Sequence, residues 1–381
     1  MKRLGYGLFV AALLSCVWLA QGCTPQASAP RQSAVQVQPI SAQNFQLDTL
    51  VTVTIYDSDN PSLLTEVFDE IDRLESILSA SLPDSDPALL ALYAGIDYIE
   101  VTEDTLVLLR KNAYFAGLSD GAFDCTVGPL VALWGIREGQ GHFPTEDELR
   151  GTMPLIDDEY VHIRDDGFVM LEKPGMKLDF GAIAKGYIGD RVKELLISKD
   201  VRSAVIDLGG NVVLLGEKPG GADFRVGVRD PDGGASDYFG VFEAVDISLV
   251  SSGSYERFFL HEGKPYHHIL DIRTGFPADN ELLQVTILSA SSTDCDAYST
   301  TAFLLGLERG FALVNDTVGV EGLFVTKDHK VYATDGIGAA DDAVDAGSAN
   351  SADDMIAGFT LVSPDYAMAV IGDGGWRHLP Q

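Results

Sequence analysis

Basic residues are scarce: 26 Lys and Arg stand against 57 Asp and Glu, for a net charge of −31. A surface of that sign argues against nucleic acid or an anionic lipid face as the partner of the folded domain. It suits a solvated surface that keeps a protein soluble. Cysteine is also scarce, with four in 381 residues. Two of these, Cys16 and Cys23, fall in the N-terminal segment, leaving Cys125 and Cys295. Two cysteines allow one disulfide but no disulfide framework. No CxxC, HExxH or Cys/His cluster occurs, which excludes the usual zinc sites. Neither GxGxxG nor GxxxxGK[ST] is present, so neither a Rossmann nor a P-loop nucleotide site is supported. What the chain has in quantity is apolar residues, at 46%, and glycine, at 39 residues. These supply a substantial core and many tight turns.

The N-terminus, MKRLGYGLFVAALLSCVWLAQGC, has Lys2 and Arg3, an apolar run from Leu4 to Ala20, then Gly22-Cys23. It is an export signal, too short and one-sided for a stable span. A small residue directly before cysteine resembles a lipoprotein signal, with Cys23 as the lipidated first residue. Leu14-Ser15-Cys16 is a competing match with a much shorter apolar core. The Gln, Ser, Ala and Pro-rich stretch from about Thr24 to Gln43 reads as a flexible tether.

Beyond it, periodicity predicts mixed elements. NFQLDTLVTVTIYD (44–57) alternates and reads as a strand. SLLTEVFDEIDRLESILS reads as an amphipathic helix, and a helix capped by Thr102 or Asp104 follows. Strands are predicted at 159–164, 167–171, 203–208, 212–215, 224–228, 239–245 and 247–251, with helices at about 183–198 and 296–315. Irregular alternation of this kind points to an α+β fold, mixed sheets with packed helices. The run 334–354 carries six Asp and no Lys or Arg and reads as a surface insertion, followed by a last apolar strand, MIAGFTLVS.

Four stretches carry candidate chemistry. In KLDFGAIAKGYIGD (177–190) a Gly-Ala step opens a helix with Lys185 in its first turn. The step is either a structural turn or an anion site at a helix N-terminus, with Asp179 just upstream. AVIDLGGNVVLLG is a glycine hairpin or a place of close ligand approach. YHHILDIRTGFPAD places two histidines near Asp271, a base and its neighbour. Successive strand residues face opposite ways, so at most one of His267 and His268 points into a given site. In SSTDCDAYSTTAFLLGLERG, Asp296 and Thr300 share a helix face. That carboxylate and hydroxyl, with a carbonyl from elsewhere, suit a hard cation such as Mg²⁺. Asp294 and Thr293 read equally as plain N-caps.

Taken in order, FDCTVGPLVALWG (123–135), LDFGAIAKGYIGD (178–190), VIDLGGNV (205–212), SSGSYERFF (251–259), YHHILDIRTGFP (266–277) and DAYSTTAFLLG (296–306) make the chain resemble the ApbE family of FAD:protein FMN transferases. The resemblance covers roughly residues 44–337 and implies an ApbE-like flavin transferase fold. It divides the chain into a signal peptide (1–22), lipidated cysteine and tether (23–43), transferase domain (44–337), and acidic insertion with C-terminal extension (338–381). It implies an exported protein, lipid-anchored on the outer face of the cytoplasmic membrane or in the periplasm. It also implies Mg²⁺-dependent transfer of FMN from FAD, as substrate, to a Thr or Ser hydroxyl of an acceptor protein through a phosphoester, releasing AMP. The alternatives are a Mg²⁺-dependent FAD pyrophosphatase, giving FMN and AMP, and a non-catalytic flavin-binding lipoprotein. By position, the implied metal ligands are the Ala182 carbonyl, Asp296 and Thr300. The implied FAD contacts are Leu47, Ala122, Phe123, Asp124, Asp179, Lys185 and Leu270, and the implied base is His268. The chain departs from the family pattern at LDT (47–49), at DIRTG, and at Ala91 or Tyr93, where an Asn is usual. DGIGAA (335–340) lacks the Thr of the acceptor motif, so self-flavinylation there is not expected.

Overall fold

The computed structural model describes residues 37–136, 139, 141–234, 236–339 and 357–369. The expected signal, Cys23 and most of the acidic run lie outside these residues.

A nine-stranded sheet forms the centre. Its order is Ile40–Gln46, Thr49–Ile55, Ala204–Asp207, Asn211–Leu215, Ser248–Gly253, Leu282–Ser289, Val320–Thr326, Lys330–Ala333 and Ala367–Met368. Every neighbouring pair is antiparallel except the last, which is parallel. Side chains alternate along a strand, and here both faces are buried. Val213, Val250, Ile287 and Phe324 join a core formed with the helices. Their neighbours Leu214, Leu249, Leu288, Leu323 and Val325 join a second core. The first core holds helices Ser62–Leu78, Ala184–Ser198 and Ser292–Asn315. The second is closed by a four-stranded sheet, in the order Ile337–Ala339, Ala357–Leu361, Tyr238–Ala244, Phe224–Arg229. A third cluster centres on Trp134, whose Nε1 donates to the Gly275 carbonyl at 2.8 Å.

Two boundaries differ from expectation. The predicted strand 44–57 is a hairpin: Ile40–Gln46 pairs with Thr49–Ile55, and Leu47 and Asp48 make the turn, both with φ 55°. Alternation is blind to a two-residue reversal made without Gly or Asn, the residues that normally tolerate this region. The polar edge strand also starts at Ile40, inside the segment read as tether. In the C-terminal extension, Ala357–Leu361 and Ala367–Met368 pair into both sheets and belong to the same domain. Cys125 and Cys295 are both buried and unbonded. Among the described residues, no helix is long and apolar enough to cross a membrane.

Candidate active site

Two helices build the floor of a cleft. Gly186, early in helix Ala184–Ser198, lies so close to helix Ser292–Asn315 that a Cβ there would stand 2.2 Å from the Ser292 carbonyl oxygen. The Gly186 amide donates to Asp296 Oδ2 at 2.8 Å. Asp190, at the end of the KGYIGD run, then accepts from Ser292 N (2.7 Å), Thr293 N (2.9 Å), Thr293 Oγ1 (2.6 Å) and Ser291 Oγ (3.1 Å). A carboxylate borrowed from one helix thus satisfies the orphan amides of the next. The long helix starts at Ser292, one turn before the predicted 296, with Ser291 as its N-cap. Neither Asp294 nor Thr293 caps it; Asp294 pairs with Lys111. Asp296 therefore projects from the second turn, and Thr300 from the third, into the cleft.

The cleft is lined by Ala122, Phe123, Asp124, Asp179, Ala182, Lys185, His268, Leu270, Asp296 and Thr300, among others. Leu47 lies instead in a wider adjoining opening that shares Asp179, Lys185, Glu256 and His268 with the cleft. The fold thus gathers side chains that lie up to 182 positions apart in sequence, from Ala122 to Leu304 (304 − 122). Ala91 and Tyr93 line neither opening.

The electrostatics are uneven. Burial pushes the Asp296 carboxyl up, and Lys185, the Gly186 amide and Asn211 oppose it. Asn211 is buried, and its Nδ2 has no partner in full hydrogen-bonding geometry. Glu256 sits deep among protein groups with its side chain open to the cleft. Burial raises its pKa, opposed by Lys185, Arg229 and Arg257. Asp124 is pushed up to about 6, first by burial, although Thr126 donates its amide (2.7 Å) and hydroxyl (2.8 Å) to Oδ1. Asp179 Oδ1 accepts from the Gly181 amide at 2.8 Å, so the carboxylate also shapes the Gly-Ala step. Asp207 likewise accepts from Gly209 (2.9 Å) and Gly210 (3.3 Å), whose φ values are 74° and 101°. The glycine hairpin is a turn, and it also lines the wider opening.

The two histidines divide as strand geometry requires. His267 is turned inward: Nε2 donates to the Ala278 carbonyl at 2.9 Å, and the ring packs edge-on to Phe303. Burial lowers its pKa. His268 lines the cleft, and its Nδ1 lies 3.3 Å from the Arg257 carbonyl. A carbonyl only accepts, so Nδ1 carries the proton and Nε2 is the basic nitrogen. Asp271 is not the partner of His268. Asp271 is taken by Arg273 at 2.8 Å, together with the Arg273 amide. A carboxylate two residues before an arginine in a tight turn is satisfied locally.

The ApbE family model matches residues 47–324 of this chain. The chain belongs to the ApbE family. It is 37% identical over 321 residues to a FAD:protein FMN transferase of Treponema pallidum, covering 79% of this chain and 88% of that one. A FAD:protein FMN transferase of Klebsiella pneumoniae is 36% identical over 282 residues, covering 74% and 87%. Among solved structures, the ApbE protein of Thermotoga maritima superposes with TM-score 0.71 and 30% identity over 78% of this chain and 97% of that one. The flavin transferase ApbE of Vibrio cholerae gives 0.70 and 25%, with the same coverage. The mixed-sheet α+β fold is thus that of ApbE flavin transferases.

Ser251, Ser252, Asn211, Glu256, Arg257 and Asp190 were not singled out from sequence. All six sit inside the long matching stretches SSGSYERFF, VIDLGGNV and LDFGAIAKGYIGD. Polar residues crowded into such blocks were the available signal.

Proposed function

We propose that this chain transfers FMN from FAD to a Thr or Ser hydroxyl of an acceptor protein, releasing AMP. The observation that carries the reading is one cleft holding a buried carboxylate, a half-buried hydroxyl one turn on, a lysine in a helix first turn, and a histidine with a defined basic nitrogen. Asp296, Thr300 and the Ala182 carbonyl would hold Mg²⁺. The fit is chemical: the donors are all oxygen, and a carboxyl driven up by burial is stabilised as the anion by a cation beside it. Bound there, Mg²⁺ would neutralise charge that builds on the pyrophosphate.

The chain's own groups do the rest. Lys185, at the helix N-terminus, binds phosphoryl oxygens. Ala122, Phe123, Asp124, Asp179 and Leu270 line the inner cleft and contact FAD, and Leu47 does so from the wider opening. His268 Nε2 accepts the proton of the acceptor hydroxyl. That oxygen forms a phosphoester bond to the FMN phosphorus as the P–O bond to AMP breaks. The N-terminal signal and Cys23 support an exported, lipid-anchored enzyme.

The test incubates the full chain with FAD, Mg²⁺ and a protein carrying an Asp-Gly-x-Ser/Thr-Gly-Ala-Thr segment, then weighs the acceptor by intact mass spectrometry. A gain of one FMN that requires both Mg²⁺ and His268 is expected. Free FMN and AMP with an unlabelled acceptor would make the chain a pyrophosphatase.

A further inference from the structure

We infer that Ser252 and Ser299 are positioning residues that fix the direction of the Thr300 hydroxyl, so that it offers a lone pair to a cation. The inference rests on the metal reading above. Its support is a chain of hydrogen bonds whose polarity is set at one end.

Ser299 is fully buried, and its hydroxyl donates to the backbone carbonyl of Asp296 at 2.9 Å. A carbonyl has no proton to give, so the Ser299 hydrogen is committed there. Ser299 Oγ can then only accept along its contact with Ser252 Oγ at 2.8 Å. The Ser252 hydrogen must therefore point to Ser299. Ser252 Oγ also lies 3.2 Å from Thr300 Oγ1, and its only hydrogen is already used. Thr300 must be the donor in that last contact. The polarity runs from Thr300 to Ser252 to Ser299 to the Asp296 carbonyl.

The consequence falls on Thr300, which lines the cleft one helical turn after Asp296. A free hydroxyl can turn either its hydrogen or its lone pairs toward a ligand. Here the hydrogen is drawn back into the protein, and the oxygen faces the cleft as an acceptor. A dication requires that orientation and is repelled by the opposite one. Ser299, which lines neither opening, thereby sets the chemistry of the site from behind.

Removing Ser299 has a specific effect. The Ser252 hydrogen loses its acceptor and turns to Thr300 Oγ1. It occupies a lone pair there, and the Thr300 hydrogen swings into the cleft. Ser252→Ala removes the acceptor for the Thr300 hydrogen directly. Ser252→Thr keeps the hydroxyl.

The experiment titrates the full chain with Mn²⁺ and follows the electron paramagnetic resonance signal of the free ion, with melting curves in the absence of metal as a folding control. Asp296→Ala should abolish tight binding. Ser299→Ala and Ser252→Ala should each weaken it about 3- to 10-fold, the range expected for one hydrogen bond. Ser252→Thr should bind as the wild type does. If Asp296→Ala binds like the wild type, the metal reading itself fails. If Asp296→Ala loses binding but either alanine variant binds like the wild type, the relay is refuted and the metal reading stands. Equal weakening by Ser252→Thr and Ser252→Ala would also refute it, because the hydroxyl would not be the cause. Should Ser299→Ala fail to fold, the two variants at half-exposed Ser252 decide the matter.

Discussion

Replacing Gly186 by alanine sets two effects of opposite sign against each other. In a helix interior the change gains about 1 kcal/mol, because alanine restricts the unfolded chain and has the higher helix propensity. Against this, the new Cβ would meet the Ser292 carbonyl oxygen at 2.2 Å and Asp296 Cβ at 2.7 Å. The first is backbone and cannot rotate away, so the two helices must part. Overpacking of this kind costs about 1–3 kcal/mol. The net expectation is a loss of about 0–2 kcal/mol, with Asp296 displaced and its bond to the Gly186 amide strained. Two other helical glycines calibrate the argument. At Gly189 the nearest atoms, Val213 Cγ2 at 2.9 Å and Ser292 Oγ at 3.0 Å, belong to side chains and stand farther off than the Ser292 carbonyl does at Gly186, so the change should cost less than at Gly186. At exposed Gly117 nothing lies within 4 Å, so alanine should stabilise by about 0.5–1 kcal/mol. Urea denaturation of the three variants should rank them 117, 189, 186 from most to least stable. A Gly186→Ala variant as stable as Gly117→Ala would refute the close-packing argument.

Asp190→Ala leaves two helix amides and two hydroxyls without their acceptor and should cost about 2–4 kcal/mol in urea denaturation; a loss below about 0.5 kcal/mol would mean water replaces it fully. His268→Gln should slow FMN transfer about 10²- to 10⁴-fold while FAD binding, read by flavin fluorescence, is retained; unchanged transfer would remove the base. Asp124 has a carboxyl raised from 3.8 to about 6, so the folded state holds its proton more tightly than the unfolded state does. Its contribution is full below pH 3.8 and is lost as pH rises to about 6, a fall of about 3 kcal/mol. Asp124→Asn should flatten the stability profile across that window, and an unaltered profile would show that Asp124 titrates normally in the fold.

Sequence periodicity located most elements that bury one clear face. The amphipathic run at Ser62–Leu78, the Thr102-capped helix Glu103–Leu118 and the strands Ala204–Asp207 and Tyr238–Ala244 all lie where the pattern puts them. Short elements held by tertiary contacts left no such trace. Helices Asp86–Leu92, Gly128–Trp134 and Glu146–Thr152 have seven residues each, too few turns for a period to repeat. Strand Leu282–Ser289 is buried on both sides and alternates only from Leu283 to Ile287. At the site, residue types and long motifs pointed to Asp296, Thr300, Lys185 and His268. The partners that orient them did not stand out, because a serine that accepts and a serine that donates are the same letter. Only the three-dimensional end point of the chain, a carbonyl at Asp296, assigns the direction.

The pairing of Ala357–Leu361 with Tyr238–Ala244 joins segments more than 100 residues apart (357 − 244 = 113). Ala357–Leu361 lies between Ile337–Ala339 and Tyr238–Ala244, so the smaller sheet closes only through a pairing of large sequence separation. Closure of a loop that long must come before the pairing, so the second core should be late to consolidate in folding. The same geometry ties two buried rings to a distant segment: Phe239 and Phe242 pack against Phe359 of Ala357–Leu361, so the core beneath the smaller sheet depends on a strand that local sequence cannot supply.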